Sequence, residues 1–218
     1  MVVGIGYQMR QGKDTIANYL VEKYGFTKIS FASALKKEVG DPNKVLMWVD
    51  IIENVVWLRK SDNLFEIVKG KLKIEALNFY AENGDLFHYE NYDKKVCMMR
   101  GVSYKHRALL QFWGTEYRRA MDEDYWVNKV AEFIKASDDK NFVIPDVRFM
   151  NEFEYIQREN GIAVKVFGRD VGGEKGQSHQ SETELAVLDD SEWDVVIKNH
   201  KTISNLYWAV DETIGRMI

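Results

Sequence analysis

The chain has 218 residues, 45% of them hydrophobic, with six Trp, two Pro and a formal charge of −4, which describes a compact folded protein and excludes the overall basic footprint of a general nucleic-acid binder. Its single cysteine, Cys97, rules out an internal disulfide framework and a cysteine zinc site, and is expected to be a small buried hydrophobe, as suits a reducing cytoplasm. The opening MVVGIG lacks the basic n-region of a signal peptide, and no apolar run approaches the ~20 residues of a membrane span, so a cytoplasmic protein with no membrane partner is expected.

Val2 to Gly6 is a short apolar run suited to a strand buried on both faces, and Ile16, Ala17, Leu20, Val21 and Tyr24 recur at helical spacing. Gly25 ends that helix and Thr27 to Phe31 reads as a second strand, which completes a strand–loop–helix–strand unit of the kind that builds parallel sheets. From 33 to 83 the text reads as mostly helical: Val45, Trp48, Val49, Ile52, Val55 and Val56 form one stripe, and Ile67 to Phe79 another. Residues 84 to 99 fit either a hairpin or an irregular loop. This middle part, about 40–100, reads as a mainly helical insertion in one α/β domain spanning 1–218.

Regularity returns with helices at about 104–121 and 124–136, then the run Asn141 to Asp146, where Pro145 is tolerable only near a strand's end. A helix from Asn151 to Glu159 has Asn151 and Glu154 at capping-box spacing, and a strand at Ile162 to Phe167 follows. Asp194 to Ile197 is a last strand. The closing helix carries Ile203, Leu206, Tyr207, Val210 and Ile214 as a packing stripe.

The segment between the first strand and the first helix, Gly6-Tyr-Gln-Met-Arg-Gln-Gly12-Lys13-Asp14-Thr15, has the chemistry of a phosphate-binding loop. Backbone N–H groups and the positive end of a helix dipole point at one place, and Lys13 adds a mobile cation. It departs from the usual pattern twice. Tyr7 stands where the loop's first glycine is expected, and Asp14 where a Ser or Thr meets magnesium, with Thr15 one place late. Tyr7 is expected to face the nucleotide or pack under the loop. An ordinary turn with Gly, Lys and Asp chosen for turn chemistry is the plainer reading of the same residues.

Three further segments carry chemistry. On the helix around 111–122, spacings of four, three and four put Gln111, Thr115, Arg118 and Asp122 on one face with Arg119 beside them, and Trp113, Tyr117 and Met121 towards another side. That face reads either as a solvated surface with an Arg118–Asp122 ion pair or as two guanidinium groups that neutralise transferring phosphoryl charge. Asp146, at the end of an apolar strand, is where nucleotide folds hold Mg²⁺, and Arg148 and Glu152 emerge on the same rim. The glycine-rich stretch from Arg169 to Glu182 suits a lid over nucleotide or a plain surface connection; His179 in it has no neighbouring nucleophile or metal partner in sequence. Lys36, after the second strand, is placed for a phosphate contact.

Taken in order, Gly-Lys-Asp-Thr at 12–15, Phe-Ala-x-x-Leu-Lys at 31–36, Trp-Gly-Thr-Glu-x-x-Arg at 113–119 with Asp-x-Trp-Val at 124–127, Asp-Val-Arg-Phe-x-Asn-Glu at 146–152 and His-x-Ser-Glu at 179–182 resemble the deoxynucleoside monophosphate kinases of tailed bacteriophages. The resemblance implies a P-loop NTPase fold of the nucleoside monophosphate kinase sort. It also implies transfer of the γ-phosphoryl of ATP to a dNMP with Mg²⁺, in deoxyribonucleotide biosynthesis in a host-cell cytoplasm. By position, Gly12, Lys13, Asp14, Thr15 and Arg169 would serve ATP. Thr15 and Asp146 would serve the metal, and Lys36, Gln111, Trp113, Thr115, Arg118, Asp122, Asp146 and Glu152 the dNMP. Lys13, Asp14, Arg118, Arg119 and Arg148 would act in catalysis. Related kinases form dimers, and the insertion is the expected interface. A P-loop kinase of another small phosphate ester, such as phosphomevalonate, and a non-catalytic nucleotide-binding protein are the alternatives.

Overall fold

Alternation along the first strand decides the layers of the fold. In the computed structural model, which describes residues 1–7, 10–62, 64–91, 96–101, 106–168 and 183–218, β1 (Val2–Gly6) is buried along its whole length. Val3 and Ile5 join the apolar core formed with Ile16, Ala17 and Leu20 of α1 (Lys13–Tyr24) and with Leu206 and Val210 of the closing helix α7 (Ile203–Glu212). Gly4 and Gly6 face the other side, where a Cβ on Gly4 would stand 2.4 Å from Ile156 Cγ1 and one on Gly6 2.7 Å from the Trp193 ring. These two glycines let α6 (Met150–Arg158) and the Trp193 segment approach the strand. The result is a sheet with helices on both faces.

That sheet is parallel, in the order β10–β9–β1–β8–β2, with β2 at Thr27–Lys28, β8 at Phe142–Val147, β9 at Ile162–Phe167 and β10 at Val195–Lys198. The expected α/β architecture with a parallel sheet is present. The second strand is shorter than its text suggests, for a local reason. Ile29 N–H reaches Val143 O at 3.0 Å, and the next donor on that side of β8 would be residue 145, a proline, so the ladder stops there. The β1–β8 register is also irregular between Gly4 and Gly6, opposite the same proline. α7 is tied to α1 by the Asp211 carboxylate, which accepts from Tyr19, Tyr24 and Lys23, and by Tyr207 stacked on Tyr19 at 4.1 Å. Ile203, expected on the packing stripe, is 51% exposed at the helix's first turn.

The chain divides into two compact units, Met1–Ala32 with Val127–Ile218, and Ser33–Trp126. The expectation of a mainly helical insertion is corrected in the second. It holds an antiparallel sheet in the order β5–β4–β3–β7–β6, with β3 at Val45–Asp50, β4 at Val55–Ser61, β5 at Leu64–Ile67, β6 at Phe87–Asn91 and β7 at Val96–Arg100. Val45, Trp48, Val49, Ile52, Val55 and Val56 mimic a helical stripe because two strands are joined by a short turn, Ile51 to Asn54, with Asn54 left-handed at φ 51. The β-branched and aromatic residues pair across it, Val49 with Val56 and Trp48 with Trp57. The helix of this region is α3 (Gly70–Glu82), and Ile67 belongs to β5. Within 84–99, β6 pairs antiparallel with β7, as the hairpin reading has it, and Cys97 is buried as expected. α2 (Phe31–Val39) precedes the sheet; α4 (Arg107–Gln111) and α5 (Tyr125–Ala136) follow it, with a π-helix at Phe112–Arg119 continuing α4.

Gly4→Ala is expected to destabilise the protein by about 1–3 kcal/mol through overpacking against Ile156. Gly25→Ala, where φ is 71 and nothing lies within 4 Å, pays only backbone strain, about 1–2 kcal/mol. Denaturant midpoints of the two variants measure this, and an unchanged midpoint for Gly4→Ala contradicts the packing role.

Candidate active site

A parallel sheet delivers all its strand ends of one polarity to one edge, and in the first unit that edge carries the loop after β1 and the ends of β8, β9 and β10. Gly6 is the register partner of Val147 on one side and of Lys165 on the other, so the loop after β1 begins between Asp146–Arg148 and the end of β9. Asn199, just past β10, closes the row: its side-chain amide donates to Gln11 O at 2.8 Å, and its backbone N–H to Phe167 O. Gly12 sits against that amide. Its φ of 100 is left-handed, and a Cβ there would meet Asn199 Nδ2 at 2.4 Å, so conformation and space both require glycine.

Gly12 is the N-cap of α1 and brings no capping side chain; Ile16 N–H makes the first helical bond, to Gly12 O. The amides of Lys13, Asp14 and Thr15 thus open the helix without intrahelical acceptors, at the positive end of its dipole. Lys13 is 6% exposed, and its ammonium donates to Tyr7 O at 2.9 Å. Asp14 points outward, its carboxylate on Lys28 Nζ at 2.8 Å, and Lys28 also bonds Asn18. Tyr7 takes φ 86, the left-handed geometry a glycine would supply, and its ring lies under the Lys165 ammonium at 4.5 Å. The ring therefore packs against a buried cation beside the loop.

Asp146 and Glu152 are used to hold backbone. The Asp146 carboxylate accepts from Phe31 N–H at 3.1 Å and Ala32 N–H at 2.9 Å, which caps the start of α2 from β8. Glu152, 2% exposed, accepts from Arg148 N–H at 2.7 Å and Phe149 N–H at 3.2 Å. This corrects the expected Asn151–Glu154 capping box: the helix begins one residue earlier, at Met150, and the acid at its third position is Glu152. Glu184 adds a bond from Met150 N–H. Arg169 and the lid segment to Glu182, His179 included, lie outside the described residues.

In the second unit, Arg118 is 6% exposed and lies among Trp113, Tyr117 and Tyr125, whose ring centroids are 5.4, 4.8 and 4.8 Å from its Cζ. Its Nε donates to Glu38 Oε1 at 2.7 Å and its Nη1 to Lys60 O at 3.1 Å. Glu38 also accepts from Trp113 Nε1 and Tyr125 Oη, each at 2.8 Å. Two expectations are corrected here: Arg118 shares the face of Trp113 and Tyr117, and its carboxylate partner is Glu38 rather than Asp122. The cause is the winding. In a π-helix each turn spans five residues in its hydrogen bonding, so Trp113 and Arg118 fall one above the other. Gln111, Thr115 and Arg119 are half-buried, Asp122 and Lys36 exposed, and Arg119 Nη1 reaches Glu123 O at 3.3 Å. Glu38 and Lys165 were not legible as site residues, because their partners Arg118 and Tyr7 are distant in sequence; Tyr125 occupies the unspecified place in Asp-x-Trp-Val.

A five-stranded parallel sheet with flanking helices, and a left-handed glycine opening the helix behind its first strand, form an α/β fold consistent with a P-loop kinase. The chain belongs to the deoxynucleotide monophosphate kinase family, whose model matches residues 49–210. A protein of Acanthamoeba polyphaga mimivirus named "Putative deoxynucleotide monophosphate kinase" is 24% identical over 223 residues, covering 95% of this chain and 92% of its own length. The family is one of kinases, so the chain is placed among phosphotransferases.

Glu38→Gln leaves the Arg118 charge buried with a weaker partner and is expected to cost about 3–5 kcal/mol. Replacing Glu38 and Arg118 together by Met should cost less than Glu38→Gln alone, and chemical denaturation of the two variants checks the order. Alkaline pH tests the same cluster. Burial, then Glu38, pushes the Tyr125 hydroxyl up to about 12, and burial first pushes Tyr117 up as well. Unfolded tyrosines ionise near ~10, so above that pH the native state holds more protons than the unfolded one. Stability from these groups is full below about 10 and falls as pH rises through about 12. Tyr125→Phe should shallow that fall in a urea-midpoint series from about pH 8 to 12; an equally steep fall contradicts the assignment.

Proposed function

We propose that this kinase transfers the γ-phosphoryl of ATP to a deoxynucleoside monophosphate, giving the diphosphate and ADP. The observation that carries the reading is the opening of α1, a left-handed glycine followed by three amides without intrahelical acceptors and a buried lysine; family membership supports it. Phosphoryl transfer needs positioning and charge neutralisation more than covalent chemistry. The amides of residues 13–15 bind phosphate oxygens, and Lys13 leaves the Tyr7 carbonyl for the β- and γ-phosphates. Arg148 and Arg119 neutralise transferring charge. Arg118, its donors on Glu38 and Lys60 O, holds in place the helix that presents Gln111, Thr115 and Asp122 to the acceptor nucleotide.

Mg²⁺ in this reading arrives on the nucleotide. Among the described residues no group of three or more His, Cys, Asp or Glu side chains could hold a metal ion. Mg²⁺ keeps most of its waters and takes one or two protein ligands beside substrate phosphates. Thr15 and Asp146 would hold it, and it would neutralise charge on the β- and γ-oxygens. Among the described residues no helix is long and apolar enough to cross a membrane.

A coupled assay across dNMPs, NMPs and phosphomevalonate tests the reading. ADP should form with at least one dNMP, and Lys13→Ala should lower that rate by about 10²-fold or more with the unfolding midpoint retained. ADP with phosphomevalonate alone, or with no acceptor at all, overturns it.

A further inference from the structure

We propose that Tyr7 and Lys165 form a positioning pair that sets where the Lys13 ammonium rests, an inference that builds on the reading of the loop as an ATP cradle. Tyr7 is held at φ 86, a region that L residues with bulky side chains occupy only when their surroundings impose it. Both of its ends are engaged. The carbonyl accepts from Lys13 Nζ at 2.9 Å, and the ring carries the Lys165 ammonium 4.5 Å from its centroid. Because backbone and ring belong to one constrained residue, clamping the ring aims the carbonyl, and the carbonyl sets the lysine.

Lys165 is built for holding rather than for binding phosphate. It is the register partner of Gly6 on β9, it is 7% exposed, and its charge is met by Asp190 Oδ1 at 2.8 Å and Leu188 O at 3.5 Å. A cation so compensated adds little field at the loop, yet its contact with the ring face is directional. A methionine could fill the same space without leaving a buried charge unpaired, since Asp190 is 62% exposed in its side chain.

The test is the dissociation constant of MgATP, measured by calorimetry on the full chain. Lys165→Met should weaken MgATP by about 3–30-fold, the range a cation–π contact carries, and Lys165→Arg should bring it back to within about three-fold of the parent protein. Tyr7→Leu, which keeps the backbone demand of a side chain at that φ, should weaken MgATP similarly, and the double variant should be no weaker than either single. A merely structural lysine would lower the unfolding midpoint and leave the MgATP constant where it was. Binding unchanged in both single variants, or losses that multiply in the double, overturns the pair. Should Lys165→Met fail to fold, Tyr7→Leu and Lys165→Arg carry the comparison. A parent protein that binds MgATP but forms no ADP with any dNMP sinks the kinase reading and leaves the pair standing; one that binds no MgATP sinks both.

Discussion

The left-handed turn at Gly12 is the constraint from which the rest of the first unit follows. With φ at 100 and the Asn199 amide where a Cβ would sit, the chain enters α1 at an angle that leaves the first amides of the helix to one side of the sheet's carboxyl edge. Asn199 fixes that turn from the far end of the chain through Gln11 O, and Asn199 is itself held by Phe167 at the end of β9. The turn that opens α1 is thus anchored to the end of β9 through Asn199. Fixed dipoles need little reorganisation when charge moves, which is what makes such a site useful for transfer.

The second unit solves a different problem. A buried guanidinium is expensive to desolvate, and a single carboxylate seldom compensates fully. Here Glu38 takes bonds from Arg118, Trp113 and Tyr125 together, so the charge is shared by a network whose members also stack on it. The network fixes a π-helical stretch, a rare winding found often at functional sites. It orders the helix that carries Gln111, Thr115 and Arg119.

Much of the first unit was legible in the text. The apolar run of β1, the period of α1 and the strand 162–167 depend on neighbours in sequence, and Gly12-Lys13 is a local signal of the same kind. What was hidden depended on partners far away. Pro145 shortened β2 from another strand, and the glycine at position 6 makes room for Trp193. In the second unit, two strands and a four-residue turn imitated a helical stripe, because periodicity over a dozen residues does not register a change of direction at Asn54. At 3.6 residues per turn Arg118 falls on the polar face; along a segment wound more loosely it joins Trp113 and Tyr117. Glu38 and Lys165 carried no local mark that separates them from surface charges.

Whether the opening of α1 cradles phosphate is decided by titrating the ¹⁵N-labelled protein with MgATP and following its backbone amides. The amides of Lys13, Asp14 and Thr15 should move first and furthest, with Gly12 beside them. Saturable binding that leaves those amides unmoved, or their failure to respond at all, contradicts the cradle.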